Sequence, residues 1–173
     1  MKNDNQIKKQ LTSNKRLDDC IKIVLYNCFN FIDKLNYCLE DIINEFGNNQ
    51  KILLLGRYSF DINKYLGKDF KLLNNNVKSF KFPNLNITFL TVHSSKGLGF
   101  DQVIILNCND GIYGFPSKIE DNYFFKIINE NDQNEEERRL FYVALTRTKN
   151  RVYILSCKNK QSSFILELKN LLN

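Results

Sequence analysis

The 173-residue chain has no tryptophan, one histidine, one methionine and two prolines. It has no apolar run near the ~20 residues a membrane helix needs. Its start, Met1-Lys-Asn-Asp-Asn-Gln, carries no apolar signal core, so a cytoplasmic location and no membrane partner are expected. The five cysteines (20, 28, 38, 108, 157) include no Cys-x-x-Cys pair. They read as buried free thiols of a reducing compartment, and no metal site is expected. Also missing is Gly-x-x-x-x-Gly-Lys-Ser/Thr. The only Gly-Lys pair, Gly67-Lys68, is followed by Asp69 and has no glycine five residues earlier. No apolar strand ends in Asp-Glu, so the chain cannot by itself hold Mg-ATP in the P-loop manner.

The composition is that of one ordinary soluble domain: 43% hydrophobic, 25% charged and long enough to bury a core. A formal charge of +6 favours a polyanionic partner without requiring one. Arginine is scarce, 6 residues against 19 lysines, while asparagine occurs 25 times. Where lysine is the default cation, a retained arginine more often needs its planar fork. Four of the six (138, 139, 147, 151) fall in one 14-residue window, and Arg57 ends an apolar strand.

Residues 1–18 form a polar lead-in without a clear period. Strands are expected at Ile21–Tyr26, Lys51–Leu55, Asn86–Thr91, Gln102–Asn107 and Val152–Ser156. The apolar spacing predicts a helix over 31–46, with Asn30 as N-cap and Gly47 as stop. Further helices are expected over 120–129, 135–149 and 163–172. The Lys/Asn-rich stretch 67–85 reads as a surface excursion. Apolar strands alternating with helices imply an α/β domain with a mostly parallel sheet covered on both faces. In such sheets ligands bind beyond the carboxyl ends of strands, here the loops after Leu55, Thr91 and Asn107.

Three constellations could carry chemistry. Thr91-Val-His-Ser-Ser-Lys-Gly-Leu-Gly-Phe100 ends a strand in hydroxyls, a lysine and glycines, the groups that hold phosphate oxygens. A capped turn would use the same residues. Glu135-Glu-Glu-Arg-Arg-Leu-Phe-Tyr-Val-Ala-Leu-Thr-Arg147 starts acidic and ends basic, which suits the helix dipole, and much of its charge reads as solvated face. Arg147 does not, because it lies seven, four and three residues after Leu140, Val143 and Ala144. If the helix reaches it, it points inward and must meet a carboxylate, a carbonyl or a ligand. Arg57 follows a buried strand and reads equally as a loop residue, although Gly56 before it suggests a close approach.

These segments resemble the UvrD/Rep-type superfamily 1 DNA helicases, and within them the DNA helicase IV-like branch. Residues 87–104 are similar to motif V, 136–147 to motif VI and 52–58 to motif IV. Gly114-Phe-Pro-Ser117 also fits that branch, and Asn5-Gln-Ile-Lys-Lys9 resembles the segment following the first motor domain. The resemblance implies that 19–173 is the second of two RecA-like motor domains, with a three-layer fold. The absent first domain would hold most of the ATP and Mg2+. It further implies that Arg147 is an arginine finger and that Arg57 also reaches the ATP phosphates. Thr91, His93, Ser94 and Lys96 would contact single-stranded DNA or a duplex junction. A P-loop domain in cis or trans would complete the ATPase, translocating 3′ to 5′. The alternatives are a stand-alone DNA-binding or helicase-docking module and the remnant of a truncated gene. Two positions depart from the pattern. Gly99 stands where many relatives have a nucleotide-side glutamate, and Gly56 where many have an aromatic that stacks on adenine.

Overall fold

The architecture follows from one strand. In the computed structural model, which describes residues 20–27, 29–119 and 130–172 (backbone only for 130–134), β2 spans Lys51–Gly56. Ile52, Leu53, Leu54 and Leu55 are all fully buried. Alternate residues of a strand face opposite sides, so this apolar run needs a cover on each face. Ile52 and Leu54 pack with Leu35, Leu39 and Ile42 of helix α1 (Phe31–Phe46). Leu53 and Leu55 pack with Leu140 and Ala144 of α2 (Glu130–Leu145) and with Phe164 and Ile165 of α3 (Ser163–Leu172). Each such side chain contributes about 1.5–3 kcal/mol by leaving water.

The other strands are β1 (Ile21–Tyr26), β3 (Phe70–Leu73), β4 (Asn76–Ser79), β5 (Asn86–Thr91), β6 (Phe100–Ile105) and β7 (Thr148–Cys157). They form one seven-stranded sheet in the order β1-β7-β6-β2-β5-β4-β3. The five strands from β1 to β5 in that order pair in parallel, and β4 and β3 are antiparallel. This is the α/β, helix-covered sheet expected. The chain leaves β2 toward β5 and leaves β6 toward β7, so the sheet reverses its order between β2 and β6. A crevice for ligands forms at such a point.

Several boundaries differ from those expected. The 67–85 stretch is not merely an excursion: it holds the β3–β4 hairpin, which extends the sheet. Its turn uses Asn74 at φ 56°, a conformation asparagine tolerates. The strand expected over 102–107 is β6 at 100–105, and beyond it Asn107 takes φ 56°. A 3₁₀ helix at Ser59–Tyr65 had no sequence counterpart. Asn30 does not cap α1 with its side chain. Its Oδ1 instead accepts from the Asn27 N–H at 2.7 Å. Gly47 does stop α1, at φ 78°, donating its N–H to Ile43. The helix expected over 135–149 starts at 130 and ends at Leu145, because Thr148 already pairs with Phe100 in the sheet. The helix expected over 120–129 and the lead-in 1–18 lie outside the described residues, as does Cys28. Cys38, Cys108 and Cys157 are buried and free, but Cys20 is exposed. Among the described residues no helix is long and apolar enough to cross a membrane.

Candidate functional site

β2 delivers Arg57 to the carboxyl edge of the sheet through a tight turn. A Cβ on Gly56 would lie 2.8 Å from the Tyr58 carbonyl oxygen and 2.9 Å from Asp61 Cβ. The approach that Gly56 suggested is therefore the chain's own 3₁₀ turn. Asp61 caps it by accepting the Tyr58 N–H at 2.8 Å. Burial raises the Asp61 carboxyl above the usual range, against the hydrogen bonds from Tyr58 and Asn107 that lower it. Gly56→Ala is expected to cost about 1–3 kcal/mol through this overlap, read as a lower urea midpoint. An unchanged midpoint would mean the turn gives way freely.

Arg57 is not a free loop residue. Its Nε and Nη2 donate to Glu137 Oε1 at 3.0 and 2.6 Å, and Nε also donates to Oε2 at 3.2 Å. Glu137 is 4% exposed, and its Oε2 accepts the Ser117 N–H at 2.9 Å. Ser117 Oγ is hydrogen-bonded to Tyr58 OH at 2.5 Å, and the Arg57 guanidinium lies 4.9 Å from the Tyr58 ring centroid. One carboxylate thus joins the motif IV-like turn, the Gly114–Ser117 segment and α2. Burial pulls the Arg57 pKa down, and the Glu137 hydrogen bonds and charge more than offset that. The guanidinium is therefore firmly cationic. Its Nη1 has no hydrogen-bond partner among the described residues.

The loop after β5 is a tight turn over 92–97. Thr91 Oγ1 accepts the Ser94 N–H at 3.2 Å and is hydrogen-bonded to Ser94 Oγ at 2.9 Å. Gly97 takes φ 81°. The capped-turn reading of this segment therefore holds for Thr91 and Ser94. His93, Ser94 and Lys96 are exposed and Thr91 is half-buried. Partial burial, together with the charges of Arg57 and Lys96, lowers the His93 pKa below the ordinary histidine value. It therefore presents a neutral ring at neutral pH. Lys96 lines a cleft of about 460 Å³ with Glu135, Glu136 and Arg139 of α2. A side chain at Gly99 would meet nothing closer than Lys149 Cε at 4.0 Å, so the missing glutamate is not a steric necessity.

Arg147 lies just beyond α2, in the turn before β7. Its Nε donates to Val143 O at 3.0 Å and its Nη1 to Leu98 O at 3.2 Å. The half-buried arginine therefore meets carbonyls, and it ties the end of α2 to the loop after β5. The rest of the arginine cluster disperses. Arg138 binds Glu167 of α3 at 2.6 and 2.8 Å, Arg139 reaches Glu135 at 3.4 Å, and Arg151 pairs with Glu45 of α1.

The residue that sequence reasoning missed is Glu137, taken as part of a solvated acidic run. A signal was present: Glu137 lies three, four and seven residues before Leu140, Phe141 and Ala144, on the face that α2 buries. The same spacing argument that singled out Arg147 would have found it.

Comparison with known proteins gives the lineage. The chain is 33% identical over 172 residues to DNA helicase IV of Escherichia coli, covering 98% of this chain and 23% of that protein. It is 32% identical to the ATP-dependent DNA helicase Rep of Buchnera aphidicola, covering 90% of this chain and 21% of that one. The chain thus spans less than a quarter of the length of these relatives. A solved structure, the C-terminal domain of a possible DNA helicase from Lactobacillus plantarum, matches with a TM-score of 0.54 at 18% identity. That match covers 89% of this chain and 82% of that one, and it supports the fold. The model of the UvrD-like helicase C-terminal domain matches residues 25–159. The chain belongs to the UvrD-like helicase C-terminal domain family.

Proposed function

We propose that this chain is the second motor domain of an ATP-dependent DNA helicase, working with a P-loop domain that its own sequence does not contain. The observation that carries the reading is the Arg57–Glu137 clamp. One edge of the guanidinium is fixed by a buried carboxylate, and the Nη1 edge is left at the carboxyl end of β2. A donor held in this way suits an anionic oxygen whose charge grows during phosphoryl transfer. Arg147 supplies the second guanidinium, as an arginine finger. The chain's residues would meet the phosphates of ATP, while the partner domain would hold the rest of the nucleotide and its Mg2+. Thr91, His93, Ser94 and Lys96 would contact single-stranded DNA. The Arg147–Leu98 hydrogen bond links that loop to the finger, so closure on ATP would move the DNA contacts with the phosphate contacts. The expected direction of translocation is 3′ to 5′.

The test is ATP hydrolysis by the purified chain with single-stranded DNA, alone and with a separately expressed, folded first motor domain from a matching helicase. Activity confined to the mixture is the expected result. Silence in both would leave a DNA-binding or helicase-docking module, or a gene remnant.

A further inference from the structure

The connections after β2 and β6 pass to opposite faces of the sheet. Between them lies a cleft of about 550 Å³, within the size range of small-ligand sites and at the sheet's switch point. Its wall is aromatic. Phe60 is 45% and Tyr113 61% exposed, and their rings meet at 5.5 Å and 84°. Neither ring is loose. Phe60 stacks on Tyr58 at 5.0 Å with the planes 5° apart, Tyr113 stands edge-on to Tyr58 at 5.8 Å, and Tyr58 is pinned through its hydroxyl to Ser117. The rim is cationic. Lys64 and Lys160 line the cleft, Lys64 with its Nζ donating to the Tyr26 hydroxyl at 3.0 Å. The nearby acids are engaged: Asp61 is buried and hydrogen-bonded to Tyr58 and Asn107, and Asp110 is paired with Lys118 at 2.6 Å. Ordered, exposed aromatic rings bordered by lysines are the surface on which bases stack.

We propose that this cleft holds a base of single-stranded nucleic acid, stacked on the exposed aromatic wall that Phe60 and Tyr113 form, with Lys160 facing an adjoining phosphate. The cleft is open, with Phe60 and Tyr113 exposed along it. It therefore suits a base tethered in a strand better than a free nucleotide, which would have to be retained by this site alone. In the sheet the β6, β2 and β5 ends are neighbours, so the cleft and the loop bearing His93 and Lys96 lie along one edge of the sheet. The proposal rests on the DNA-binding reading above and extends it to a site that reading does not use.

Because the chain has no tryptophan, Phe60→Trp gives a single fluorescent reporter that keeps an aromatic ring in place. Titration with a twelve-residue oligothymidylate is expected to quench this fluorescence to saturation, while dTMP at the same concentrations leaves it unchanged. Phe60→Ala and Tyr113→Ala, confirmed as folded by circular dichroism, are each expected to weaken oligonucleotide binding about tenfold. Binding should also fall steeply as salt is raised. Unchanged affinity in both alanine variants with a silent indole, while the wild type still binds, would overturn the cleft and leave the DNA reading standing. A wild-type chain that binds no oligonucleotide at low salt would overturn both. Equal quenching by dTMP would overturn the strand assignment.

Discussion

Arg147→Ala is expected to lower single-strand-stimulated ATP hydrolysis at least 10³-fold in the mixture with a first motor domain, the scale of an arginine finger. Folding should change little. The side chain makes two carbonyl hydrogen bonds, to Val143 and to Leu98. Such bonds contribute about 0.5–1.5 kcal/mol each, less where water can replace them. The bond to Leu98 lies at the exposed surface, where water makes good its loss. Arg147→Lys keeps the charge but not the planar fork and should recover only a small part of the rate. The measurement is kcat for ATP at saturating DNA, with a urea melt of each variant alongside. Wild-type turnover in Arg147→Ala would remove the finger assignment. A large loss of stability would instead make Arg147 mainly a helix cap.

The second large effect is on stability. Glu137→Ala leaves the Arg57 guanidinium, whose side chain is 17% exposed, without its counter-charge and takes the acceptor from the Ser117 N–H. Breaking a buried ion pair from one side costs about 3–5 kcal/mol, a large share of the roughly 5–15 kcal/mol that holds a domain folded. Arg57→Ala should cost a similar amount by stranding the carboxylate. The double variant Arg57→Met with Glu137→Leu should lose less than either single change, because no charge is left buried. Glu137→Gln keeps the shape and one acceptor and should fall between wild type and Glu137→Ala. Equilibrium urea denaturation of the 173-residue chain reads all four. A loss under about 1 kcal/mol for Glu137→Ala would mean the carboxylate behaves as a surface group.

That carboxylate marks where reading the sequence stopped. Glu135, Glu136 and Glu137 look alike as a run, yet Glu135 and Glu136 are exposed and Glu137 is buried. Only its neighbours on the α2 face distinguish it, and its partner is eighty residues away in sequence. Arg57 was legible as an unusual arginine, but its clamp needed three segments brought together. Arg147 was legible as an unusual arginine, but the inward position depended on a helix continuing to it, and α2 ends at Leu145 with Arg147 half-buried beyond it. The helix stops because the following residues gain more from pairing with β6 than from another turn.

By itself the sequence determined the layering. The apolar run Ile52–Leu55 demands cover on both faces, and the 31–46 period makes an amphipathic helix. These are local properties, set by side-chain alternation and spacing. Tertiary structure alone decided the rest: the hairpin that widens the sheet, the dispersal of the arginine cluster, the burial of Glu137 and the meeting of Phe60 and Tyr113 in one cleft wall. Each of these depends on contacts between residues far apart in the chain. Such pairings follow from strand order, and periodicity within a segment carries no information about which distant segment will lie beside it.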